Sequence, residues 1–105
     1  MWETVAEGSR TKVQFDTIGD VFTGEYQGTE EITNPNDGRT WMQYNFRGHS
    51  PAELSGELCA INGGFAFRRA FESVPVGSLV RITFIKTVDT GQPTPMKDFK
   101  VEVAR

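Results

Sequence analysis

The run Arg39-Thr40-Trp41-Met42-Gln43-Tyr44-Asn45-Phe46-Arg47 concentrates the side chains most able to do chemistry in this chain. Read as a strand, it has two faces, because successive side chains alternate. Met42, Tyr44 and Phe46 form an apolar side suited to a core. Trp41, Gln43, Asn45 and Arg47 form the other, an indole, two amides and a guanidinium in one row. Such a row can stack bases on the indole and hold phosphates with the guanidinium, and Arg39 adds a cation where the strand begins. Trp41 equally suits a contact with a neighbouring loop or a second subunit, since single exposed apolar residues are ordinary.

Other chemistries find less material. Cys59 is the only cysteine, so no intrachain disulfide forms, and its setting in Leu58-Cys59-Ala60-Ile61 reads as a buried, inert thiol. A lone thiol fits a reducing compartment. His49 is the only histidine. With these and scattered carboxylates, no metal-ligand spacing or nucleophilic triad can be written. The Glu30-Glu31 pair reads as a solvated strand end, with no partner acid at a useful spacing. Neither an enzyme nor a metal or other cofactor is expected.

At 105 residues and 37% hydrophobic composition, residues 1–105 suit one domain with a single core. Eleven glycines, five prolines and eight phenylalanines, spread along the chain, favour short strands separated by turns. No apolar run approaches the roughly 20 residues of a membrane span. The start, Met1-Trp2-Glu3-Thr4-Val5, lacks the basic and apolar regions of a secretory signal, so a cytoplasmic protein is expected. A net charge of −3 weighs against a simple polyanion binder. The distribution matters more, because residues 1–67 carry four basic against ten acidic side chains and residues 68–105 carry seven against four. A fold that mixes these segments could still form a local positive groove.

The elements that must position the row follow in order. Residues 1–11 read as a surface arm and 12–15 as a short edge strand. Residues 21–29 read as a first main strand whose Gly24 and Gly28 allow the bending a small barrel needs. Residues 33–38, with their Asp37-Gly38 pair, form the hairpin turn into the 39–47 strand. A loop over 48–53 precedes a third strand over 54–61. Asn62 then caps a helix over 65–73, in which Phe67, Ala70, Phe71 and Val74 share the apolar face. Arg68 and Arg69 fall off that stripe, as a solvated face or as ligand contacts. After a turn at 75–78, strand 79–87 puts Val80, Ile82 and Phe84 on one face. A breaker-rich loop leads to a last strand over 96–103, with Phe99, Val101 and Val103 inward.

Three strands, a helix and two strands is the order of an OB-fold, a five-stranded barrel whose second and third strands and flanking loops form the usual oligonucleotide surface. The pattern Thr17-Ile18-Gly19-Asp20-x-Phe22-x-Gly24-x-Tyr26-x-Gly28, then Tyr44-x-Phe46-Arg47, Val76-Gly77-Ser78-Leu79-Val80-Arg81-Ile82 and Met96-Lys97-Asp98-Phe99-Lys100-Val101 resembles small bacteriophage single-stranded-DNA-binding proteins of this fold. The resemblance spans about residues 17–103 and rests mostly on barrel glycines and core positions. It implies an all-β barrel with little helix, sequence-tolerant binding of single-stranded DNA in phage replication or recombination, and a place in the host cytoplasm. It also implies that Trp41, Gln43, Asn45 and Arg47 lie on the nucleic-acid surface.

Around that row, Tyr26 and Tyr44 would offer further stacking platforms if the barrel exposed an edge of either, although alternation turns both inward. Arg39, Arg81, Lys86, Lys97 and Lys100 would meet phosphates. RNA is accepted by the same chemistry, and the free edges of a small barrel allow a homodimer. The competing expectation is a small β-barrel module for protein interaction or virion assembly, with Trp41 buried at a subunit contact and no affinity for oligonucleotides.

Overall fold

A computed structural model describes residues 10–63, 65–91, 93 and 95–104, with backbone only at 65 and 66. Six strands and one short helix follow one another as β1 (Thr11–Lys12), β2 (Val21–Thr33), β3 (Thr40–Ser50), β4 (Leu58–Gly63), α1 (Phe65–Phe71), β5 (Leu79–Val88) and β6 (Met96–Val103). A 3₁₀ turn at Ala52–Leu54 lies between β3 and β4. All six strands belong to one sheet in the order β1-β4-β3-β2-β5-β6, antiparallel except where β1 runs parallel to β4. Residues 1–9 of the expected arm lie outside the described residues, and Thr11 belongs to β1 instead.

The five-stranded barrel expected from the sequence is corrected to an open six-stranded sheet. The reason is local. Thr11 and Lys12 pair with Cys59 and Ala60, and the Val13 N–H donates to the Ala60 carbonyl at 3.1 Å, so this segment occupies the free edge of β4 that a closing strand would need. Among the described residues β6 pairs only with β5, from Val80 opposite Val103 to Val88 opposite Met96.

The ends of the sheet nevertheless meet through side chains. Phe15, just past β1, packs edge-on against Phe99 of β6 with ring centroids 4.9 Å apart. Lys97 Nζ donates to the Phe15 carbonyl at 2.6 Å and lies 5.5 Å from the centre of the Phe84 ring. Phe99 continues inward to Phe67, again at 4.9 Å. From there the aromatic contacts run through Phe71 to Tyr26, Tyr44 and Phe46, so α1 plugs the concave side with Phe67 and Phe71. The buried face of β5 is Val80, Ile82 and Phe84, as its alternation dictates.

Two irregularities shape the long hairpin of β2 and β3. Between Tyr26 and Gly28 the register with β3 slips, leaving Gln27 as the extra residue of a bulge, and Gly28 supplies the positive φ of 108° found there. β2 therefore continues to Thr33, and Glu30 and Glu31 stand inside the strand rather than at its end. The slip opposite Thr23 and Gly24 makes His49 the extra residue on β3. Next to it the chain folds back so closely that a Cβ on Gly48 would overlap the Leu54 carbonyl oxygen. Because residues 52–54 turn in this way, the next strand starts at Leu58 rather than at residue 54.

If the Phe15–Phe99 contact holds the open edge together, Phe15→Ala should lower unfolding free energy by about 3 kcal/mol or more, the usual cost of emptying a buried phenylalanine site. Urea titration followed by circular dichroism measures this. A midpoint equal to that of the parent chain would show that the edge needs no such clasp.

Candidate nucleic-acid interface

The outward row of β3 divides in two. Arg47 is exposed, and Trp41 is half-buried. Gln43 and Asn45 are buried, each only 8% exposed, which corrects the expectation of a fully wet row. Three of their four side-chain polar atoms are already engaged. Lys12 Nζ donates to Gln43 Oε1 at 3.0 Å and to Asn62 Oδ1 at 3.2 Å, while Gln43 Nε2 donates to Asn45 Oδ1 at 2.9 Å. Gln43 and Asn62 are direct partners across β3 and β4, so a single ammonium can bridge both amides.

Arg10 makes a second clasp on the same segment. Its Nη1 donates to Gln27 Oε1 at 2.8 Å, with longer bonds of 3.3 and 3.4 Å to the carbonyls of Phe46 and Cys59. Arg10 and Lys12 were not among the site residues expected from sequence. Their alternation in front of Val13-Gln14-Phe15 was the available signal, but the parallel pairing with a strand nearly fifty residues away is not legible locally. Cys59, beneath Arg10, is fully buried, and that burial pushes its thiol above the ordinary range.

The expected phosphate-binding cations are spent differently from one another. Arg81 holds Glu102 through two bonds of 3.0 Å, and Lys100 lies 3.8 Å from the same carboxylate. The Arg81 hydrogen bonds keep the Glu102 carboxyl below the usual carboxylate range. Lys86 stands 3.9 Å from Asp98. Lys97 is bound to the Phe15 carbonyl. Arg39 sits in the hairpin turn, highly exposed, with Asp37 3.7 Å away. Arg47 makes no ion pair among the described residues, although Glu25 is its direct partner on β2. The β5–β6 flank is therefore largely self-neutralised, and the unspent positive charge lies with Arg47 and the amino-terminal segment on one side and with Arg68 and Arg69 of α1 on the other.

Tyr26 and Tyr44 do not serve as platforms. They are 5% and 1% exposed and lie within the aromatic core, Tyr44 within 5.1 Å of Phe71 and Tyr26 within 4.9 Å of it. Alternation sends both inward, and the packing of α1 leaves neither face open. Trp41 is placed differently. β4 ends opposite Met42, so Trp41 stands just beyond the end of its neighbour, beside an open cleft of about 430 Å3 on the α1 side of the hairpin. Glu31, Thr40, Met42, Tyr44 and Arg68 line the same cleft. Its indole Nε1 is buried and has no hydrogen-bond partner among the described residues.

No family model matches this chain, and neither curated proteins nor solved structures give a match.

Burial raises the phenol pKa of both Tyr26 and Tyr44, with a hydrogen bond to Thr29 pulling Tyr26 partly back and the charge of Arg68 doing the same for Tyr44. The unfolded chain thus loses these protons first as pH rises past about 10, and the folded chain holds them longer. Stability should be insensitive to these groups below pH 9 or so and fall from about 10 up to the raised folded values. Tyr44→Phe should remove part of that alkaline loss, read as a shallower decline in urea midpoint between about pH 9 and 11. An equal decline in both proteins would mean that the phenol of Tyr44 is not desolvated.

Proposed function

We propose that this chain binds single-stranded DNA with little dependence on sequence, in phage replication or recombination, along the outer side of β3 and β4. The observation that carries the reading is Trp41, a half-buried indole in the outward row of β3 just beyond the end of β4, on a strand whose outer side is edged by Arg47, Arg10 and Lys12. Base stacking on such a ring tolerates any base, because every base has a π-face.

The strand order supports it. The meander β2-β3-β4, the return of β5 to pair with β2 and the β5–β6 hairpin, with a helix between β4 and β5, follow the order of an OB-type barrel left partly open. On that reading β3 and β4 correspond to the second and third barrel strands, whose face binds oligonucleotides. The connections between β2 and β3 and between β5 and β6 then flank the face. The bacteriophage resemblance read from the sequence points the same way. RNA, as single strands, offers the same stacking surface and is a matter for competition experiments.

Few free cations limit the affinity. Three phosphate contacts from Arg10, Lys12 and Arg47 would give a slope of log affinity against log salt of about −2, at about 0.7 per contact for single strands. Anisotropy of a labelled thirty-residue oligothymidylate, titrated at several salt concentrations, should return that slope. Trp41→Ala should weaken binding by about 1–3 kcal/mol. A folded Trp41→Ala protein that binds as tightly as its parent removes this mechanism. Absence of binding even at low salt transfers the function to a protein-interaction or virion-assembly role.

A further inference from the structure

The β2–β3 hairpin outruns the rest of the sheet. β5 pairs with β2 only from Val21 to Glu25, and just beyond it the Tyr26 N–H and carbonyl are met by the Ser78 carbonyl and the Gly77 N–H. Past the bulge, residues 28–33 pair with β3 and with no other strand among the described residues. One side of β2 is therefore an unpaired backbone edge, about 20 Å long at the usual rise of a strand. Glu30 and Glu31 stand in its middle, both exposed and on opposite faces. Glu30 lies opposite Gln43 on the outer side, and Glu31 lies opposite Met42 on the α1 side. Neither carboxylate makes an ion pair or side-chain hydrogen bond among the described residues. The cations of the neighbourhood are Lys12, which reaches Gln43 on the outer side, and Arg68, which lines the cleft on the α1 side.

We infer that this edge receives an extended basic segment of a partner protein, which pairs with residues 28–33 as an added strand. The inference is separate from the proposed binding of single strands and does not rest on it. In strand addition the unpaired main-chain groups of the edge supply the hydrogen bonds, and side chains of alternating direction supply the selection. Opposite charges facing one another across neighbouring strands stabilise the pairing and like charges weaken it. Because Glu30 and Glu31 project to opposite faces, lysine or arginine on either face of the added strand meets a carboxylate. On the α1 side a hollow of about 210 Å3, lined by Thr29, Met42, Phe71 and Glu72 among others, leaves room for its side chains. The same two carboxylates select against other occupants. A second copy of this chain, paired edge to edge about a two-fold axis, would bring glutamates against glutamates, and a polyanion would be repelled from both faces.

The test titrates the full chain into a trace of labelled ten-residue peptide of alternating lysine and valine, followed by anisotropy at moderate salt. Two further peptides are compared with it. One alternates glutamate and valine. The other is the lysine peptide methylated at every backbone nitrogen, which keeps the charge and cannot pair as a strand. The parent chain should bind the lysine peptide about tenfold more tightly than either of the others. A double variant, Glu30→Gln with Glu31→Gln, should weaken that binding by about the same factor. Both positions are exposed, so the variant should keep its fold, which circular dichroism checks. Equal affinity for the methylated peptide would mean attraction of charge without an added strand, and it overturns the proposal. So does an affinity for the lysine peptide that is unchanged in the double variant, which would place the strand on another edge. Absence of binding to the lysine peptide at millimolar protein overturns it as well.

Discussion

The meeting of Phe15 and Phe99 across the open edge is the contact on which the rest of the structure depends. A six-stranded sheet with two free ends has no strand-to-strand ladder to curl it into a closed shape, yet α1 can be gripped only if it does. Phe99 provides the reason by touching the segment after β1 on one side and Phe67 on the other. Once that edge is drawn in, Phe67 and Phe71 can stack against Tyr26, Tyr44 and Phe46, and the helix end that carries Arg68 is set against the hairpin. Hydrophobic packing at one edge thereby positions polar groups at the far side of the core.

The amino-terminal segment does a second job at the same edge. Its two cations sit over the polar side of β3 and β4, where the buried Gln43 Oε1 would otherwise be left without a partner at a cost of about 1–3 kcal/mol. Gln43 and Asn62 are therefore best understood as the anchor for Lys12, with Asn45 holding Gln43 in turn, and the surface presented outward is the one Arg10 and Lys12 make. The binding face proposed for this chain is composite, with its aromatic end on β3 and its cationic edge drawn partly from a segment remote in sequence.

Alternation made much of this legible in advance. Val80, Ile82 and Phe84 are buried as the two-residue period requires, β6 spans Met96–Val103 as expected, and α1 ends at Phe71, two residues short of the expected stop. Tyr26 and Tyr44 point inward as alternation dictates, against their assignment as stacking platforms. What was not legible is what covers a face. Alternation assigns Gln43 and Asn45 to the outer side but says nothing of a chain segment crossing it. The extension of β2 to Thr33 depends on a bulge at Gln27, and the open edge depends on the parallel β1–β4 pairing. Both are products of tertiary structure, and the second is non-local. The fate of the cations was hidden for the same reason, since Arg81 and Glu102 become partners only through the register of two strands.

That register has a consequence for the solution behaviour of the molecule. β6 is an outermost strand, and a long uncovered strand is a template on which a second copy can add its own. Here Asp98, Lys100 and Glu102 alternate along the strand, each within 4 Å of a charge of opposite sign, Lys86 for the first and Arg81 or Lys100 for the last. A second copy laid alongside would have to desolvate these charges or disturb their pairing. The ion pairs that withdraw Arg81 and Lys86 from phosphate binding thus guard the sheet against edge-to-edge aggregation.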